Sequence, residues 1–450
     1  MTITVVSSNE AENKKEARRD RLISFMINKL REFLQKRFLQ DVASMLAGNI
    51  FSQAISLLAA LVITRLYTPA AFGIMSYISS LTGILAIAVA LGYQTAILLP
   101  AEEEKAESLM HLALICTLGI TTITILAFWS FRGFLASRSG IPGVENYIWF
   151  VPLGIFIFGI RQTLINVHTR FKHFKLIAGS EVVVAAVTAF SKIIPALLIG
   201  ASALWLVTGN VIGPLVSAIL LVWVYLKDKK KKKCATINYS NWVIAKEYNR
   251  FPKYHLPTLV FNSLSQNLPV ILFAAFFSPE AVGFYGLANN MLRKPVDLFS
   301  QSLTRVFLQK AVETEHIGGN QFRLLKRATT VMVLIGIVPF GILTLLGDKI
   351  FVVIFGQQWQ TSGVCAQILA PWLFISFVNI TANQLILAKQ ALSFKFVLEL
   401  AYIIFSLVGI FMGHYFFPAD FKKTLAIFSS IGFLRGFVLN YAAFVISKKV

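Results

Sequence analysis

The chain has 450 residues, of which 56% are hydrophobic and only 14% charged. A soluble domain averages about 25% charged residues, so this much apolar surface does not fit inside a water-soluble core. The net charge of +21 is no nucleic-acid signature, because the Lys and Arg residues cluster in short segments between apolar runs. Cys116, Cys234 and Cys365 are scattered and odd in number, which excludes a disulfide framework and a metal-binding spacing.

The chain opens on a polar, charged stretch without a small-residue cleavage pattern, so no cleavable signal peptide is expected. Within this leader (1–41), residues 21–39 place Leu22, Ile23, Met26, Leu30, Phe33, Leu34 and Phe38 at helical spacing. Lys29, Arg31, Lys36 and Arg37 stand between them. This pattern predicts a basic amphipathic helix lying on an anionic leaflet. From Ala43 onward the apolar runs reach the length of about 20 residues that a membrane-spanning helix needs. They predict an all-α polytopic membrane protein with about 12 spans. These fall at 43–66, 71–98, 107–131, 146–168, 176–199, 202–226, 255–277, 282–308, 327–347, 363–387, 394–416 and 424–446.

Lys and Arg crowd alternate connections, among them Arg170, Lys172, Lys175, Lys229 to Lys233, Arg323, Lys326 and Arg327. The positive-inside rule then puts both termini in the cytoplasm and the chain in the bacterial inner membrane. Trp129, Trp149, Trp205 and Trp223 fall at span ends, as an aromatic belt requires. The basic linker 227–253 divides the spans into an N-lobe (42–226) and a C-lobe (254–450), six and six.

The two halves echo each other. Thr68-Pro69-Ala70-Ala71-Phe72-Gly73 follows the first span, and Ser278-Pro279-Glu280-Ala281-Val282-Gly283 follows the seventh. Each is followed by a tyrosine, Tyr77 or Tyr285. A repeat of six spans keeps the same membrane orientation, and such parallel repeats build transporters with a site between two lobes.

Seven cations stand inside the spans: Arg65, Arg161, Lys192, Arg293, Lys294, Arg305 and Arg435. Each costs about 2.5–3.5 kcal/mol near the bilayer centre on insertion scales unless it finds a partner or a wet cavity. Only Glu181, Asp297 and Glu399 share those spans. Arg65 and Arg305 lie near span ends, from which long side chains snorkel to the interface. Arg293 and Asp297 are four residues apart and able to neutralise each other. Glu181 and Glu399 sit near the cytoplasmic ends of their spans and are expected not to pair with Lys192 or Arg435. The deep positions thus carry Arg161, Lys192, Arg293, Lys294 and Arg435 against Asp297 alone. That balance predicts a cationic, water-filled cavity with Arg161, Arg293, Lys294, Arg435, Lys192 and Arg65 as anion contacts. Arg grips a diphosphate through paired hydrogen bonds, and Lys acts as a point charge. Asn49, Gln53, Asn262, Gln266, Asn289, Asn290, Asn379 and Gln384 are candidates either for sugar contacts or for joining helices. Asp297, Glu181 and Glu399 are candidates for carrying a coupling ion, H+ or Na+. No Walker A sequence, metal cluster or catalytic loop is present in the sequence, so a transporter without cofactor or metal is expected.

The segments NIFSQAISLLAALVITRLYTPAAFGIMSY (49–77), SLSQNLPVILFAAFFSPEAVGFYGLANNMLRKPVDLFSQSLTRVF (263–307) and IFGQQWQTSGVCAQILAPWLF (354–374) resemble the bacterial polysaccharide exporters. These are the O-antigen and capsule flippases of the multidrug/oligosaccharidyl-lipid/polysaccharide (MOP) superfamily. The resemblance covers the chain from about Asp41 onward. It implies twelve helices in two six-helix lobes with alternating access. It also implies a substrate, undecaprenyl-diphosphate-linked oligosaccharide, moved from inner to outer leaflet. Membrane lipids and other polysaccharide assembly proteins are the further partners expected. By the resemblance, Arg65 stands where the family often ends its first helix with Arg, and Arg293-Lys294-Pro295 where the eighth helix has a polar-proline break. The alternatives are a cation-coupled multidrug antiporter of the same superfamily, which calls for acids in the cavity, and a membrane-embedded polymerase, which calls for a large external loop.

Overall fold

A computed structural model describes residues 44–231, 240–316, 320–389, 391–418 and 420–448. The predicted leader helix lies outside the described residues, as does the side chain of Arg305. Among the described residues there is no strand. Twelve long helices are joined by short connections: α1 (Ser44–Leu66), α2 (Pro69–Ala88), α4 (Glu103–Arg138), α5 (Phe150–Arg170), α6 (Phe174–Leu198), α7 (Ala203–Lys231), α9 (Leu256–Phe276), α10 (Pro279–His316), α11 (Gln321–Phe355), α12 (Gln360–Ala388), α13 (Leu392–Phe416) and α14 (Phe421–Lys448). Two short helices, α3 (Tyr93–Ala96) and α8 (Asn241–Glu247), complete the order.

Eleven of the long helices are long and apolar enough to cross a membrane; the chain is a multi-pass membrane protein. The exception is α10, which carries Arg293, Lys294 and Asp297. It nevertheless packs between α2 and α12, so its polar face meets protein and not lipid. Large apolar side chains such as Leu126, Trp129, Phe190, Leu197 and Val353 are exposed on α4, α6 and α11, as a lipid-facing belt requires.

The helices sort into two bundles. In one, α2, α5, α6 and α7 pack on each other with α4 outside α5; in the other, α10, α11, α13 and α14 surround α12. The seam between them is made by α2 with α10 and by α9 with α2 and α13.

Helix boundaries follow local chemistry. Thr68 caps α2 by accepting from the Ala71 N–H at 3.4 Å, with Pro69 in the first turn. Asn320 caps α11 in the same way. Asp420 accepts from the Lys423 N–H at 3.2 Å ahead of α14, a bond that holds its carboxyl below the usual carboxylate range. The predicted span 71–98 is corrected: α2 stops at Ala88, and the chain turns through Leu91 (φ 51°) and Gly92 (φ 82°). The basic linker is also more ordered than expected, since α7 runs into it and α8 lies within it.

The repeated motifs meet each other. A Cβ on Gly73 would lie 1.9 Å from the Pro279 carbonyl oxygen, and one on Gly283 would lie 1.9 Å from that of Pro69. The first turns of α2 and α10 therefore cross with backbone against backbone, each glycine seated on the other motif's proline. The same end is closed by Trp359, fully buried. Its indole N–H donates to the Thr64 carbonyl at 2.7 Å, and its ring stands edge-on to Phe72 at 4.7 Å.

Candidate functional site: a two-part cavity between the bundles

Below that closure lies a cavity in two connected parts. The larger, about 700 Å³, is bordered by α1, α2, α5, α6, α7 and α9. Ser52, Gln53, Thr82, Asn262, Ser263 and Gln266 give it a hydroxyl- and amide-rich wall. The second, about 440 Å³, reaches α10 and shares Ser56, Ser79, Thr188, Asn210, Gln266 and Asn267 with the first.

The second part holds Lys192 of α6 and Lys294 of α10, and no Asp or Glu lines it. Lys192 is buried. Its ammonium donates to Asn210 Oδ1 at 2.7 Å and lies 3.6 Å from Met75 Sδ. Asn210 in turn donates to Ser79 Oγ at 3.1 Å. Tyr67 fixes the backbone of the same turn by donating to the Lys192 carbonyl at 2.6 Å. Lys294 comes from the opposite bundle and makes no hydrogen bond or ion pair with a described residue. The two ammonium groups repel each other. A buried pair of like charges without a carboxylate is stabilised by an anion placed between them.

The other predicted cations are placed differently. Arg161 lines the larger part of the cavity but pairs with Glu181 at 2.5 Å and donates to Ser217 Oγ at 3.1 Å. Arg435 pairs with Glu399 and stands over the Tyr402 ring at 5.0 Å. The expectation that Arg161 and Arg435 are unmatched, and that Glu181 and Glu399 are poorly placed to pair at depth, is therefore corrected. Antiparallel neighbours bring each acid to the level of its arginine. Arg293 donates to Asn289 Oδ1 at 2.9 Å and sits over Trp372 at 5.6 Å. It makes no ion pair with Asp297 among the described residues, against the expected neutralisation. Arg65 is exposed at the end of α1, the position from which it snorkels. Of the three acids proposed for ion coupling, only Glu181 lines the cavity; Asp297 and Glu399 line neither part.

The amides divide as well. Gln53, Asn262, Gln266, Asn289 and Asn290 line the cavity. Asn379 instead donates to the Gly436 carbonyl at 2.8 Å and accepts from Asn440 at 2.8 Å, joining α12 to α14. Gln384 reaches Thr304 on α10 at 3.4 Å. Sequence reasoning passed over Asn210, Asn267, Ser79 and Thr188. Asn210 carried the same signal as the amides it selected, a polar residue in an apolar run.

This arrangement of helices recurs in solved structures. An inward-facing multidrug resistance MATE family transporter of the MOP superfamily superposes with a TM-score of 0.69 at 12% identity, over 88% of this chain and 96% of that one. The lipid II flippase MurJ in an inward closed conformation gives 0.68 at 13% identity, over 89% of each chain. A MOP superfamily transporter from Pyrococcus furiosus, described as having a binding pocket of reversed polarity, gives 0.57 at 13% identity over 91% and 96%. The fold is thus that of the MOP-superfamily transporters and flippases. Residues 62–363 match the polysaccharide biosynthesis protein family, and the chain belongs to that family. No curated protein matches it in sequence.

Proposed function

We propose that the protein is a flippase for a lipid-linked oligosaccharide, a polyprenyl-diphosphate-linked repeat unit carried from the inner to the outer leaflet of the bacterial inner membrane by alternating access. The observation that carries this reading is the lysine pair. Lys192 and Lys294 come from different bundles, enter one cavity, and meet no acid there. A diphosphate bridging them satisfies both charges and touches both moving bodies. The adjoining wall of Ser, Thr, Asn and Gln side chains matches an uncharged or weakly charged glycan, which needs many hydrogen bonds and little net charge. A carrier of organic cations calls for the opposite polarity, since a cation would add a third positive charge beside two lysines. Both termini are cytoplasmic in this reading, from the placement of basic connections.

The test is export of surface polysaccharide in a strain lacking the native chain. Lys192→Ala and Lys294→Ala are each expected to abolish export at unchanged protein level, and Lys294→Arg to retain part of it. Wild-type export by both alanine variants would remove the lysine pair from the mechanism. Restored drug resistance without polysaccharide would favour the cation-coupled carrier.

A further inference from the structure

On the opposite side of α10 from the lysine cavity lies a separate groove of about 420 Å³, bounded by α1, α10 and α11. Every residue lining it is apolar; Leu58, Leu61, Pro295, Ile335, Phe340 and Phe351 are representative. It occupies the half of the bundle that carries the α1–α2 turn, since α1 contributes its C-terminal half and α11 its C-terminal half. Leu58 at its mouth is 65% exposed, so the groove opens on the lipid-facing surface.

Two features tie this groove to the cavity. Met291 lines both. On α1 the same alternation holds: Ser56, Ala59 and Ala60 face the cavity, while Leu57, Leu58 and Leu61 face the groove. The seam between α1 and α10 is therefore a wall one side chain thick, polar on one face and apolar on the other. That wall is deformable. Pro295 gives no N–H to the carbonyl of Met291, and Pro339 none to that of Ile335. Both freed carbonyls belong to groove residues, so both helices have lost a backbone restraint where the wall stands.

We infer that the groove holds the hydrocarbon chain of the same lipid whose anionic head occupies the lysine cavity, the chain passing between α1 and α10 at Met291. An apolar slot continuous with a cationic one fits a single amphiphile better than two unrelated ligands. The inference rests on the anion reading of Lys192 and Lys294. A bulk phospholipid chain seated in the groove is the competing occupant, and it has no reason to depend on those lysines.

Two probes separate the possibilities: a long-chain isoprenoid diphosphate and a ten-carbon isoprenoid diphosphate, each titrated onto the purified full chain in nanodiscs. Leu58→Trp plugs the groove mouth at an exposed position and leaves the interior untouched. It is expected to weaken the long-chain probe at least tenfold and the short-chain probe less than twofold, whereas Lys294→Ala weakens both. A photoreactive residue at position 58 is expected to crosslink the long-chain probe in wild-type lysine background and to lose that crosslink with Lys294→Ala. The same residue at Leu334, equally exposed on α11 but outside the groove, is expected to give none. Unchanged long-chain binding in Leu58→Trp, or equal crosslinking at both positions, overturns the groove while leaving the lysine site intact. Unchanged binding of both probes by Lys294→Ala overturns the site itself.

Discussion

Lysine and arginine do different work in this bundle. Arg161 and Arg435 hold carboxylates, and a planar guanidinium suits such fixed pairing. Lys192 and Lys294 hold none, and a strongly hydrated ammonium in that state needs water or an anion. Removing Glu399 or Arg435 alone strands a partly buried charge; removing both does not. Glu399→Gln and Arg435→Leu are each expected to destabilise the purified protein, and a thermal double-mutant cycle to show coupling of about 0.5–3 kcal/mol. Additive losses would mean that the pair is incidental. The cations themselves were legible as an anomaly of composition, but their partners were not. Arg161 stands nine residues before the end of α5 and Glu181 seven after the start of α6. At about 1.5 Å per residue the two differ in depth by only about 3 Å, yet which faces meet depends on helix rotation, and a single sequence does not fix that. Lys192 and Lys294 are separated by a whole bundle in sequence, so their convergence belonged to the tertiary fold alone.

At the scale of the element, the repeated Pro-x-Ala-x-Gly turns mark where α2 and α10 begin. Spacing predicted that both turns follow corresponding spans, but not that they rest on each other. The glycines are required there because a side chain at either position meets a carbonyl oxygen at 1.9 Å. Gly283→Ala must therefore push α10 away from Pro69. The expected result is faster labelling of a single cysteine at Ser76 by a membrane-impermeant maleimide, in a background without native cysteines. Labelling at the wild-type rate would show that the crossing relaxes without opening. The hydropathy pattern was reliable wherever a helix met lipid and weakest for α10, whose charged face the pattern read as part of an ordinary span. The helix is kept by packing between α2 and α12, an interaction that apolar periodicity does not register.

For the whole molecule, the crossing and the lysine pair lie on the same two moving parts. Transport by rocking requires that α2 and α10 separate at their first turns while a substrate still touches Lys192 and Lys294. Ser76 and Gly286 face each other just inside the crossing, where a Cβ on Gly286 would approach the Ser76 hydroxyl to 2.3 Å. A Ser76→Cys/Gly286→Cys pair in a cysteine-free background is therefore expected to form a disulfide under mild oxidation. With the bond formed the bundles are stapled at one end, and export of polysaccharide should stop; dithiothreitol should restore it in the same preparation. Binding of a diphosphate probe to the purified oxidised protein should persist, because the staple leaves the lysine cavity untouched. Transport that continues with the bond quantitatively formed would place the moving contact elsewhere, and the reciprocal glycine seats would then be a static joint between the halves.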